Sequence, residues 1–409
     1  MEPRPLSYRA LLREAPDFRR LWLGQIISLL GDWFNLIAAA ALIGTLTQSG
    51  FAVGGLFIVR MLAPFLLSPL AGVVADRYDR KKVLIASDLA RAAIVLLFLL
   101  VRRPEHVWLL YLFTALQLGT GAFFFAARNA ILPDVVPERG LGTANALTSA
   151  TWSVMLALGA ALGGVAAGTL GVHAAFVLDA LTFVLSAACL ARIGSKARDG
   201  GGRSLRQAFD EYREGLAYLR RQTDTTVLAL HKAAIGLYSG GLDVLLVAIA
   251  RDVFSIGRDG SLALGMVFGA AGIGSGLGPI LARRLTGDRD RPLRLAILPG
   301  YLLGTLGLLA MAPLQHFGVL LAGAFLRSFG GGIVWVFSTQ LLLHTVPDRV
   351  RGRVFASEFA LFTLGAAAGA AGVGQAQDLG YTPGQILAGL AAIPLVPAAL
   401  WSWWAIKKP

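Results

Sequence analysis

Apolar residues dominate this chain in long runs broken by short polar turns. Twelve runs are each long enough to cross a ~30 Å hydrocarbon core as a helix. They cover 21–47, 51–74, 83–101, 107–132, 141–168, 172–193, 226–250, 261–283, 293–312, 317–343, 354–378 and 384–406. A membrane barrel needs alternating segments of about ten residues instead, and these runs do not alternate. The pattern predicts an all-α polytopic membrane protein with twelve transmembrane helices. Between the sixth and seventh runs lies R-S-L-R-Q-A-F-D-E-Y-R-E-G-L-A-Y-L-R-R-Q (203–222). There Leu205, Phe209, Tyr212, Leu216 and Leu219 recur at helical spacing among charges, which predicts an amphipathic interfacial helix. The expected organisation is a six-helix bundle in 1–193, a cytoplasmic linker in 194–225 and a second six-helix bundle in 226–409.

Composition agrees. Of 409 residues, 56% are hydrophobic and 15% charged, and the mean hydropathy is +0.66. Soluble domains carry about 25% charged residues, enough to cover a surface in water. The net charge of +13 invites a nucleic-acid partner, but its placement gives another account. Of the 37 Lys and Arg, 29 fall on one side of the twelve spans, and only Arg102, Arg103, Arg251 and Arg258 lie in the opposite loops. That asymmetry predicts a multi-pass protein of the cell (inner) membrane with both termini cytoplasmic. It also predicts contact with anionic membrane lipid and no nucleic-acid partner. The single cysteine, Cys189, excludes an internal disulfide, and no His/Cys cluster has metal-site spacing, so no metal or cofactor is expected. The first run continues past Asp32 to Thr47 without a small-residue cleavage site, so it is expected to be an anchor and not a signal.

The two halves repeat. N-A-I-L-P-D-V-V-P-E-R-G-L-G-T-A (129–144) aligns with T-Q-L-L-L-H-T-V-P-D-R-V-R-G-R-V (339–354). Pro137 matches Pro347, Arg139 matches Arg349 and Gly142 matches Gly352, each 210 residues on. An even number of spans per repeat implies parallel halves about an axis along the membrane normal.

Charges inside apolar spans are costly in lipid and are functional candidates by default. Asp32 lies in the first span and Asp243 in the seventh, 211 residues on, so they are candidate pseudo-symmetric equivalents. A carboxylate whose solvation changes between two states can take up and release a proton. A helix–helix hydrogen bond to Gln25 is the competing account of Asp32. Arg60 and Arg327 are the matching cations, and either a carboxylate partner or an anionic substrate group would satisfy them, pairing being the commoner fate. Glu358 is a gate or coupling candidate near the start of its span. Asp179, Asp88 and Arg91 are expected to be structural ties. Trp33, Phe34, Phe57, Phe124, Trp152, Tyr238 and Trp335 suit either an apolar ligand or plain packing, and Asn35 is a further polar candidate beside Asp32.

The turn between the second and third runs reads G-V-V-A-D-R-Y-D-R-K-K, Gly72 to Lys82. It resembles the loop signature of the major facilitator superfamily, roughly G-x-x-x-D-R-x-G-R-[RK], with Asp79 in place of the second glycine. F-R-R-L-W-L-G-Q-I-I-S-L-L-G-D-W-F near the start, Arg60 to Pro64, and R-N-A-I-L-P also look like its bacterial multidrug, macrolide and siderophore exporter branch. The resemblance spans essentially the whole chain. It implies the major facilitator fold and alternating access, with spans 1, 4, 7 and 10 lining a central cavity. A conformational latch is implied, in which Asp76 docks on the start of the eleventh span near Arg353. Gly72, Arg77, Arg80, Arg128, Asp134 and Glu138 would join it. A weaker copy, G-P-I-L-A-R-R-L from Gly278, has Ala282 where Asp76 sits, which predicts an asymmetric latch. The coupling or substrate cavity is expected to use Asp32, Asp243, Arg60, Arg327, Glu358, Trp33, Asn35 and Trp335.

No catalytic triad, phosphate loop or paired catalytic carboxylates emerge, so an enzyme is not expected. G-I-G-S-G-L-G-P (272–279) sits inside an apolar span with no preceding strand, which rejects a dinucleotide site. The glycines of the fifth span, Gly159 to Gly168, suit close helix packing, and Ala160 stands where family exporters carry proline. The expected activity is proton-coupled efflux of a small amphipathic or hydrophobic molecule by a monomer. A lipid or lysolipid flippase and a non-transporting receptor or assembly factor are the alternatives.

Overall fold

A computed structural model describes residues 6–194, 213–214, 217–287 and 289–406. Twelve helices are long and apolar enough to cross a membrane. They are α1 Pro16–Thr47, α2 Gly50–Arg77, α3 Arg80–Leu100, α4 Pro104–Val135, α5 Glu138–Leu170 and α6 Val172–Ala191, followed by α7 Thr223–Val253, α8 Arg258–Thr286, α9 Asp290–Met311, α10 Phe317–Thr345, α11 Val350–Asp378 and α12 Pro383–Trp404. No strand occurs among the described residues. The amphipathic helix expected over 203–222 lies mostly outside them.

Helices outrun the apolar runs because polar residues cap their ends. Ser49 Oγ accepts from the Ala52 N–H to start α2, and Asp79 Oδ1 accepts from the Lys82 N–H to start α3. Asp79, the departure from the family signature, is therefore the N-cap of the following helix. Thr382 and Gln385 form a reciprocal capping box at the start of α12. Gln48, left-handed at φ 51°, turns the chain from α1 into α2.

Packing follows the internal repeat. In the first half α1 meets α5 and α6, while α4 meets α2 and α3. The equivalents six helices on recur in the second half: α7 meets α11, and α10 meets α8 and α9. The halves meet along two seams, α2 with α11 and α5 with α8, and these exchange under the same six-helix shift. That is the relation expected of parallel repeats about an axis along the membrane normal.

Small residues make the seams close. A Cβ on Gly164 of α5 would lie 2.7 Å from the Cα of Gly265 in α8, and one on Gly54 of α2 would lie 2.7 Å from the Ala370 carbonyl oxygen in α11. With no hydrophobic drive between helices in lipid, such backbone approach supplies the packing. Large apolar side chains such as Leu66, Trp108, Leu285 and Leu400 stand exposed on the outside, as a lipid-facing surface requires.

Candidate functional site

Five carboxylates and four cations lie in the central stretches of the spanning helices, and they sort by burial into two sets. The first set is buried and held. Arg91 of α3 bonds the carboxylate of Asp88 one turn back, and its guanidinium donates to Ser28 Oγ at 3.2 Å. It also stacks over Phe183 and Phe124 at 4.2 and 4.7 Å from their ring centroids. Asp179 of α6 is wholly buried, with the Gln117 amide within 3.5 Å. In the second half Lys232 of α7 bonds Glu358 of α11 at 2.8 Å and sits 4.4 Å over the Trp335 ring. Trp335 in turn meets Phe362 edge-on at 5.0 Å.

The second set is partly accessible: Asp32 of α1, Arg60 of α2, Asp243 of α7 and Arg327 of α10. Arg60 lies within electrostatic reach of Asp32, Asp179 and Asp243, and Asp243 within reach of both Arg327 and Arg60. The fold thus gathers one acid and one base from each half. The carboxylate pairing favoured for the two arginines is not formed. Neither makes an ion pair within 4.0 Å among the described residues. Arg60 Nη1 and Arg327 Nε are buried without a hydrogen-bond partner, although Arg327 donates to Ser328 Oγ at 2.8 Å. Asp32 faces Arg91 at 3.8 Å and not Gln25. Arg91, expected to be a structural tie, therefore stands next to the leading candidate.

The other candidates disperse. Asn35 is wholly buried beside Asp179, inside the first half. Trp33 fills the space over Gly159 and meets Phe268 across the halves at 6.1 Å. Phe34, Phe57, Phe124 and Tyr238 are core residues, whereas Trp152 is 59% exposed. The fifth-span glycines serve packing: Gly159 and Gly163 face Trp33, and Gly164 faces α8.

At the end where α1 begins and α12 finishes the halves stand apart. A Cβ on Gly72, Gly142, Gly276 or Gly352 would meet nothing within 4 Å. Arg80 bonds Asp134 at 2.7 Å and the Ala130 carbonyl at 3.0 Å, all within the first half. Arg128 bonds the neighbouring Asn129, Glu138 begins the first turn of α5, and Arg77 is exposed. Asp76 makes no hydrogen bond to α11, whose Arg353 pairs instead with Glu214 of the linker.

At the far end the halves are clasped. Among the described residues, the hydrogen bonds that cross between the halves' helices all lie there. Asp378, ending α11, accepts from Ser49 Oγ, Gly50 N–H and Phe51 N–H at 2.8, 2.7 and 3.2 Å. Arg251 of α7 donates to the Gly44 carbonyl near the end of α1, and Arg258 of α8 donates to the Leu170 carbonyl ending α5 at 3.4 Å. Each charge complements the dipole of the helix end it touches.

Sequence reasoning missed Lys232 and Asp378. Lys232 carried a signal, a lysine within L-A-L-H-K-A-A-I-G-L, but its partner lies 126 residues away.

Twelve spanning helices in two repeat-related sets, tied together at one end and carrying an internal charge cluster, define an integral multi-pass membrane protein. Comparison with known proteins is concordant. The Major Facilitator Superfamily model matches residues 21–370, and the chain belongs to that family. It is 27% identical over 376 residues to the uncharacterized MFS-type transporter YfiS of Bacillus subtilis, covering 90% of this chain and 88% of that one. A protein of Bacillus subtilis named "Putative bacilysin exporter BacE" is 27% identical over 205 residues, 50% of this chain and 51% of its own. Among solved structures, the nucleoside transporter NupG superposes with a TM-score of 0.76 at 12% identity, covering 96% of this chain and 100% of that one. An inward-facing, unoccupied bacterial homologue of the human lysosomal transporter Spinster gives 0.74 at 15% identity over 95% and 96% of the two chains.

Proposed function

We propose that this protein expels small amphipathic or hydrophobic compounds in exchange for protons, by alternating access between bundles formed by residues 1–193 and 226–409. The observation that carries the reading is the charge balance of the central stretches. Asp32, Asp88, Asp179, Asp243 and Glu358 face only Arg60, Arg91, Lys232 and Arg327. An excess negative charge at that depth is costly, and a proton is the smallest counter-charge that removes it. Asp32, 27% exposed, and the partly exposed Asp243 are the members with access to solvent, so they are the coupling candidates. Efflux is supported by a relative, matched over half of its length, that is named a putative bacilysin exporter.

With both termini cytoplasmic, as the basic loops favour, the open end faces the cytoplasm. In the opposite state Asp76 would close onto the start of α11, with Gly72 leaving room for the approach. Arg77, Arg80, Arg128, Asp134 and Glu138 would share the charge network around that contact. Reconstitution tests the coupling: an imposed pH gradient should drive transport, and Asp32→Asn should abolish that drive. Gradient-independent transport unchanged in Asp32→Asn would sink it.

A further inference from the structure

The nine central charges divide by accessibility, and the division specifies what the site can hold. Asp88, Arg91, Asp179, Lys232 and Glu358 are at most 5% exposed and are neutralised or packed within one half. Asp32, Arg60, Asp243 and Arg327 are partly accessible, come two from each half, and make no ion pair with each other within 4.0 Å. They are not idle surface groups. Arg60 Nη1 and Arg327 Nε are buried N–H donors without an acceptor, an arrangement that costs free energy until something accepts from them. Neither Asp243 nor Asp32 receives a hydrogen bond from any described residue that would cancel its charge locally; the nearest cation to Asp32 is Arg91, at 3.8 Å and itself bonded to Asp88. The site therefore offers donors without acceptors and acceptors without donors, side by side across the two halves.

A purely hydrophobic or singly charged ligand would leave one of these sets unanswered. We propose that the transported molecule is zwitterionic: a protonated amine seated against Asp243 and an anionic group, carboxylate or phosphate, seated against Arg327, with Asp32 and Arg60 presenting the same pair from the first half. Guanidinium forks suit such oxyanions because they donate in a plane with matched geometry. Because Arg60 of the first half lies within reach of Asp243 of the second, the two half-sites adjoin, and a ligand of this kind ties the halves together at the centre. Its ammonium and the exchanging proton compete for the same carboxylates, which gives exchange a physical basis. The proposal rests on the transporter reading given above and narrows its substrate class.

The test separates the two. Purified full-length protein is melted with a rigid aromatic zwitterion series, aminomethyl-, aminoethyl- and aminopropyl-benzoate. Each is compared with its methyl ester, which lacks the anion, and its N-acetyl form, which lacks the cation; phosphonate analogues replace the carboxylate in a parallel arm. At least one zwitterion should stabilise the protein, with affinity about tenfold or more above both blocked forms. Arg327→Ala should erase the preference over the ester alone, and Asp243→Asn the preference over the N-acetyl form alone. The parallel arm tells whether carboxylate or phosphonate is preferred. Blocked forms that bind as tightly as the zwitterions overturn the proposal, as does stabilisation by tetraphenylphosphonium with none by any zwitterion. Counterflow of the stabilising probe in proteoliposomes reports on transport separately: binding with the predicted charge pattern but no counterflow would contradict the transporter reading and leave the ligand class standing.

Discussion

The carboxylate of Asp378, the last residue of α11, accepts a 2.7 Å hydrogen bond from the backbone N–H of Gly50, the first residue of α2. The two residues belong to opposite halves, so this contact exists only while the far end is closed. Ser49 caps α2 from within its own chain segment, and Asp378 takes the donors that Ser49 leaves free. A carboxylate at a helix N-terminus is stabilising by about 0.3–1 kcal/mol when exposed. Asp378→Asn should therefore shift the population toward far-end-open molecules by about two- to fivefold. Spin labels on the start of α2 and the end of α11, in a Cys189→Ser background, would read the shift as a longer distance. An unchanged distance distribution would remove Asp378 from the closure.

Lys232 and Glu358 form a buried pair whose two members cannot be removed singly. Glu358→Gln leaves an uncompensated ammonium in the second half and should cost about 3–5 kcal/mol. A Lys232→Met/Glu358→Leu double variant of similar volume should recover most of that loss. Thermal melting in detergent distinguishes the two, and equal destabilisation of the single and double variants would deny the pair a purely electrostatic role.

Gly164 allows α5 to touch the backbone of α8, where a Cβ would fall 2.7 Å from Gly265 Cα. Gly164→Val should hold the seam apart. In a Cys189→Ser background, the protein should keep its helical content yet show increased accessibility of a cysteine introduced at the far end, and lose transport. Retained transport would mean that the seam can re-form with a side chain in it.

Asp79 starts α3 through its side chain, so the identity of the cap can be tested directly. Asp79→Ala should cost about 1 kcal/mol and Asp79→Gly only a few tenths. Equal melting of both variants with the wild-type protein would show that the cap contributes nothing in the membrane.

Much of the fold was legible because lipid imposes a simple rule: a span must be apolar and long. That rule located all twelve helices, and it undershot their ends, as at Arg77 and Thr286, because helices continue into polar layers that the rule ignores. The four accessible charges were legible for the same reason, since Asp32, Arg60, Asp243 and Arg327 stand out in apolar runs. Their partners were not. Arg91 beside Asp32 and Lys232 beside Glu358 depend on which helix faces which, and no local pattern encodes that. Asn35, three residues after Asp32, looked equally suited to the cavity, yet it packs against Asp179. The far-end clasp was invisible for a further reason. Asp378 closes a span as any terminal acid does, and only its meeting with Ser49 and Gly50 gives it a task.

In each of the three far-end ties main chain is a partner: amides at the start of α2 donate to Asp378, beside the Ser49 hydroxyl, and carbonyls near the ends of α1 and α5 accept from Arg251 and Arg258. A receptor made of main chain is indifferent to the residues that carry it. Sequence drift on those helices, Ser49 aside, is therefore tolerated as long as they stay helical, while Asp378, Arg251 and Arg258 bear most of the selective constraint. A lock of this kind would persist among relatives too divergent to share a side-chain interface, legible only as three charges at helix ends.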